Sequence, residues 1–139
     1  KVPYNDYDCL VLTGGPDSVA RNQTENMLYN NAIKNKKPIV GICHGAFAIN
    51  DICGGKNGYI ENHVDADIEI KMEGNTYIVK CFHSQAINVL PQGFVPIAYD
   101  NNGNIEAFQH SDLEVYGILW HPERMPVPVW PSEVKKLFE

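Results

Sequence analysis

Apolar residues along this chain fall into two regimes. In the first third they come as short, nearly unbroken runs: Asp8 to Thr13 (DCLVLT), stopped by Gly14-Gly15-Pro16, and Ile39 to Ile42, stopped at Cys43. Runs of this length and composition predict strands buried on both faces. Between them a helix is predicted from about Asn22 to Lys34, with Met27, Leu28 and Ala32 on one face. Lys34, Lys36 and Lys37 lie near its end, where cations suit the helix dipole, and Pro38 stops it. His44 to Ile52 predicts a second helix, closed by Gly54-Gly55. Strand, helix, strand, helix in this order argues for a parallel sheet with right-handed crossovers.

The later chain alternates instead. Asp67 to Lys71 and Thr76 to Phe82 flank Glu73-Gly74-Asn75, and Phe94 to Tyr99 and Ile105 to Gln109 flank Asn101-Asn102-Gly103-Asn104. Both read as hairpins. Val115 to Trp120 is one more apolar strand, ending at His121-Pro122-Glu123, and Ser132 is placed to cap a last short helix through Phe138. The expected fold is α/β, a three-layer αβα domain over residues 1–139, its mostly parallel sheet extended by antiparallel hairpins.

Composition narrows the function. With 139 residues, 44% of them hydrophobic, the chain can bury a real core. The net charge is −6 and Lys and Arg are scattered, so neither a nucleic-acid footprint nor an acidic-membrane footprint is present. No apolar run approaches the roughly 18–20 residues that span a bilayer. The four cysteines, Cys9, Cys43, Cys53 and Cys81, form no CxxC pair and match no zinc or haem spacing. Reduced thiols in a cytoplasmic protein are expected, with no metal and no cofactor.

The chemistry concentrates at Gly41-Ile42-Cys43-His44-Gly45. A nucleophile between strand and helix, with glycines two residues before and after, is the cysteine form of a nucleophile elbow. Such a turn lifts the sulfur to a helix N-terminus, whose positive end is expected to lower the thiol pKa. On this turn alone Cys43 reads equally well as a buried structural cysteine. His121-Pro122-Glu123 changes that, because a thiol needs a base and the base needs a carboxylate to hold its tautomer. His121 also sits at a strand's C-terminal end, where ligands collect in open α/β sheets. A backbone N–H of the Gly14-Gly15-Pro16 turn and that of His44 could serve a developing oxyanion, although such a turn alone more often only reverses the chain.

LTGGPDS, GICHG and WHPE, in this order, resemble the class-I glutamine amidotransferases and the related γ-glutamyl hydrolases. IEAFQHSDLEVYGILWHPER and VKCFHSQAI are closest to the γ-glutamyl hydrolase branch. The resemblance runs from about Asp8 to Phe138. It implies a flavodoxin-like sheet, a Cys43–His121–Glu123 triad and an oxyanion hole from the Gly15 and His44 backbones. It also implies substrate contacts from Gly14, Phe47 and the His83-Ser84-Gln85 loop. Three departures accompany it. Phe47 stands where the family usually has glutamine, Cys81 where the loop often has serine, and family domains carry further N-terminal strands before the GGP strand, so that more protein is expected upstream of Lys1.

The remaining candidates read more plainly. The His44 side chain should point away from the sulfur. His83 divides between a substrate role and a structural hydrogen bond. His63 and His110 have no comparable context and read as ordinary polar residues, and Cys9, Cys53 and Cys81 read as packing. Met125 to Pro131 (MPVPVWP) reads as an extended segment packed over the body, with a partner surface anchored by Trp130 as the alternative. Two functions stand: hydrolysis of a small γ-glutamyl amide through a cysteine thioester, and a glutaminase subunit delivering ammonia to a synthetase partner. A homo-oligomer is compatible with either.

Overall fold

The computed structural model describes residues 8–13 and 19–139. Its order is β1 (Leu10–Leu12), α1 (Val19–Lys34), β2 (Ile39–Ile42), α2 (His44–Ile52), β3 (Lys56–Tyr59), β4 (Ala66–Met72), β5 (Asn75–Cys81), β6 (Gln85–Val89), β7 (Phe94–Asp100), β8 (Ile105–His110), β9 (Val115–Ile118), a 3₁₀ turn at Pro122–Arg124 and α3 (Ser132–Leu137). Seven strands form one mixed sheet in the order β1-β2-β9-β8-β7-β4-β5. The α/β fold is as expected, and its two regimes divide the sheet. β1, β2 and β9 are parallel, and from β9 outward every pairing is antiparallel.

Every residue of β2 and β9 is buried, as continuous apolar runs require. Alternation along them splits the core between the two faces of the sheet. Ile39 and Val115 pack with Tyr29, Ala32, Phe47 and Ile49 under α1 and α2. Val40, Ile42, Tyr116 and Ile118 pack with Trp120 and with Val134 of α3. Met125, Val129 and Trp130 pack against that second cluster, so the MPVPVWP segment is a lid on the core. Trp120 Nε1 donates to Val129 O at 2.9 Å and fastens it.

Two local expectations are corrected, and one small sheet is added. Met27 is 52% exposed; the buried face of α1 is Glu25, Tyr29 and Ala32, which have the one-turn and two-turn spacing that meets α2. Ser132 opens α3 but does not cap it. Its hydroxyl and N–H instead both donate to the Glu73 carboxylate, at 2.8 and 3.1 Å, so the β4–β5 turn supplies the acceptor for this helix end. β3 and β6 form a separate two-stranded antiparallel sheet that the apolar pattern did not announce. The β4–β5 turn itself, Glu73 and Gly74, has positive φ at both residues, as a two-residue hairpin demands. Among the described residues no helix is long and apolar enough to cross a membrane.

Candidate active site

Cys43 joins β2 to α2 with φ 55° and ψ −107°, a backbone state that a residue with a side chain rarely adopts. The surroundings enforce it. Cys43 N donates to Ile118 O of β9 at 2.7 Å, while its carbonyl accepts from Ala46 and Phe47 at 3.0 and 3.2 Å. The flanking glycines permit the close approach. A Cβ on Gly41 would stand 2.6 Å from the Gly45 backbone, and one on Gly45 would stand 2.0 Å from Leu12 O. The sequence motif is therefore a turn in which strand and helix touch backbone to backbone.

The residue is 8% exposed, with Sγ 4.0 Å from the Phe82 carbonyl. Burial pushes the thiol up from its ordinary range; the His44 backbone N–H and the Arg124 charge pull it down, and Glu123 and Glu106 push it up again. The net direction is upward, which corrects the expectation of a thiol acidified by the helix end. Losing water costs the thiolate more than the helix N–H returns.

His121 follows β9 and is 4% exposed. Its Nδ1 lies 2.6 Å from Glu123 Oε2, across the 3₁₀ turn that Pro122 begins. A carboxylate only accepts, so Nδ1 carries the proton and the Nε2 lone pair is left for other work. The His121 N–H donates to Lys80 O at 3.0 Å, tying this turn to the strand that leads into Phe82. The Phe82 ring meets His121 edge-on at 5.6 Å, and the Arg124 guanidinium sits over the same ring at 4.7 Å. Phe82 thus touches the thiol through its carbonyl and the imidazole through its ring. Sequence reading missed both Phe82 and Arg124, although each adjoins a residue it singled out.

The other expected site residues separate. Gly14 and Gly15 lie outside the described residues. The His44 imidazole reaches Glu25 of α1 at 3.4 Å, away from the sulfur. Phe47, His44 and Gln85 line an open cavity of about 210 Å³ together with Asn57 and Asp51, and Cys43 is not in its wall. Ser84 is exposed, and its carbonyl accepts from Ile60 N at 3.0 Å. His83 is buried, its ring 5.7 Å from that of Phe47, with Nδ1 facing Gln85 O and Nε2 facing Glu106. His63 is no ordinary polar residue: it is 5% exposed and packs beside His83, their rings 5.1 Å apart.

Comparison with known proteins completes the picture. A family model described as glutamine amidotransferase class-I matches residues 2–138. A glutamine-hydrolyzing GMP synthase subunit from Methanosphaera stadtmanae is 31% identical over 86% of this chain and 67% of its own length. Gamma-glutamyl-CDP-amidate hydrolase of Campylobacter jejuni is 30% identical over 83% of this chain and 62% of its own. The crystal structure of a glutamine amidotransferase from Thermotoga maritima shares the fold, with a TM-score of 0.77 at 17% identity over 88% of this chain and 59% of that one. The chain therefore spans a little under two thirds to two thirds of the length of these curated relatives.

Proposed function

Because this chain belongs to the class-I glutamine amidotransferase family, we propose that it hydrolyses a γ-glutamyl amide through a thioester on Cys43. The observation that carries the reading is the strained Cys43 backbone at the β2–α2 turn, which holds a sulfur at the head of a helix. In the first half-reaction His121 Nε2 takes the thiol proton as sulfur attacks the γ-carbonyl carbon. A thiol raised by burial is at rest protonated, so base and attack act together. The C–S bond forms, the carbonyl oxygen becomes an oxyanion, and the backbone N–H groups of His44 and Gly15 are its assigned donors. His121 then passes the proton to the nitrogen as the C–N bond breaks. Water, deprotonated by the same imidazole, cleaves the thioester, releasing a free γ-carboxyl and restoring the thiol. Glu123 holds the tautomer and balances the transient imidazolium.

Phe47 supports a substrate other than free glutamine, since a buried phenyl ring offers no hydrogen bond where the family usually has an amide. A conjugate with a larger leaving group fits better. The second reading, a glutaminase subunit serving a synthetase, is favoured by the relative named as part of a GMP synthase. The two separate when the chain alone is given a panel of γ-glutamyl amides, glutamine included, and released glutamate is assayed. Turnover of conjugates well above that of glutamine supports the hydrolase. Glutaminase activity that appears only with a partner supports the synthetase-linked reading, and no turnover of any amide under either condition overturns both.

A further inference from the structure

Behind the elbow lies a second group of polar side chains that the proposed hydrolysis does not use. His63, His83, Asp100, Glu106 and Cys81 come from β5, β7, β8 and two loops, and they are 5, 4, 6, 0 and 0% exposed. His63 Nε2 is 3.1 Å from Asp100 Oδ2 and 3.2 Å from Glu106 Oε2; His83 Nε2 is 3.1 Å from Glu106 Oε1; Cys81 Sγ is 3.8 Å from the same oxygen.

The far side of each imidazole fixes what the near side must be. His63 Nδ1 is 2.8 Å from Glu61 O, and His83 Nδ1 is 2.8 Å from Gln85 O. A backbone carbonyl only accepts, so each Nδ1 carries a hydrogen. In a neutral ring the Nε2 lone pair would then face carboxylate oxygens, which is repulsive in a buried site. At His63, which faces two carboxylates, three arrangements remove the repulsion: a second proton on the ring, a proton on a carboxyl, or a cation between the nitrogen and the oxygens.

Two observations favour the cation. Charge-assisted N–H···O bonds run at about 2.7–2.9 Å, and the His121–Glu123 pair of this molecule is at 2.6 Å. Both His63 separations are longer. Donor atoms sharing a metal at about 2.0–2.2 Å stand roughly 3.0–3.5 Å apart, which is where these lie. Second, Glu106 Oε2 is buried and accepts no hydrogen bond, although His63 Nε2 is only 3.2 Å away. A fully buried carboxylate oxygen left so is costly unless something else satisfies it.

We propose that His63, Asp100 and Glu106 form a binding site for a divalent transition-metal cation, zinc being an ion this nitrogen and oxygen set suits, while His83 and Cys81 lie against the other Glu106 oxygen. A neutral His63 imidazole, two carboxylates and one dication leave no net charge in this trio. The outer support is in place: the His63 Nδ1 hydrogen rests on a carbonyl, and Asp100 is oriented by the N–H groups of Asn102 and Asn104 at 2.9 Å.

The site goes beyond the proposed hydrolysis and is tested without it. The Cys43→Ser chain, which removes the other buried thiol able to take up zinc, is stripped with chelator and titrated with Zn²⁺ by calorimetry. Metal content is then measured after dialysis. About one ion per chain and a chelator-reversible rise in Tm are expected. His63→Gln, in the same background, should weaken binding at least tenfold. If that variant fails to fold, Co²⁺ replaces it as the probe, expected to give visible absorption of a low-symmetry site on the folded parent. Absence of stoichiometric metal in the folded Cys43→Ser chain, or ¹⁵N shifts showing His63 doubly protonated under saturating zinc, would overturn the proposal.

Discussion

At the scale of single residues, the proposed roles divide the chemistry among three side chains. Cys43→Ser should lose nearly all turnover, because a hydroxyl is a far weaker nucleophile than sulfur here, and His121→Asn should fall nearly as far, on the order of 10⁴-fold in kcat. Glu123→Gln should cost less, since the residue orients and balances the imidazole without touching the bond that breaks. Steady-state kinetics on a conjugate the wild-type chain accepts would rank the three, and Glu123→Gln as damaging as Cys43→Ser would refute the assigned roles. Arg124 gives a separate reading. Its charge lowers a thiol that burial has raised, so Arg124→Ala should move the Cys43 pKa further up. At a fixed pH below it less thiolate is present, and iodoacetamide should react more slowly, with the rate profile displaced to higher pH. An unchanged profile would mean that the guanidinium serves only the Phe82 ring.

Elements reveal where sequence could and could not be read. β2, α2 and β9 were legible because burial on both faces leaves continuous apolar runs, and because Gly41 and Gly45 mark where two backbones meet. Gly45→Ala should accordingly destabilise by about 1–3 kcal/mol in urea unfolding, since the added carbon meets Leu12 O at 2.0 Å and a strand backbone gives way reluctantly. α1 was legible as a helix but not in its orientation. Its sequence is largely polar, and the face is chosen by Tyr29 and Ala32 meeting α2 rather than by any stripe the sequence shows. The small β3–β6 sheet was hidden because Lys56-Asn57-Gly58-Tyr59 carries no alternation, and its partner is far along the chain. Ser132 looked like a cap by its type, yet the acceptor came from a hairpin turn 59 residues away. Glu73→Ala should therefore loosen α3, at a cost of about 0.5–1 kcal/mol, visible as faster hydrogen exchange of the Val134 and Lys135 amides. If exchange there is unaltered, the contact contributes nothing.

Over the whole molecule the sheet has two halves that meet on one strand. β9 runs parallel to β2, which ends in the thiol, and antiparallel to β8, which carries Glu106. The three residues proposed as catalytic were legible from two short motifs, because local turns encode them. The buried cluster was not, since its members are single letters in four different segments and only tertiary pairing assembles them. The ladder Gly41↔Gly117 and Ile42↔Ile118 is what sets the thiol against the end of β9. That arrangement makes the protein unevenly tolerant of added length. One glycine inserted after Leu119 should abolish turnover, because it carries His121 about 3.3 Å along the strand direction and turns it to the other face. Two glycines between Asp112 and Leu113, in the exposed β8–β9 turn, lengthen a loop at small entropic cost and should leave turnover intact. Equal loss from both insertions would show that the halves are not separable. If they behave as expected, a lineage could lengthen, trim or exchange the hairpin turns for new substrates, while the few residues from β9 to Glu123 stay frozen in length.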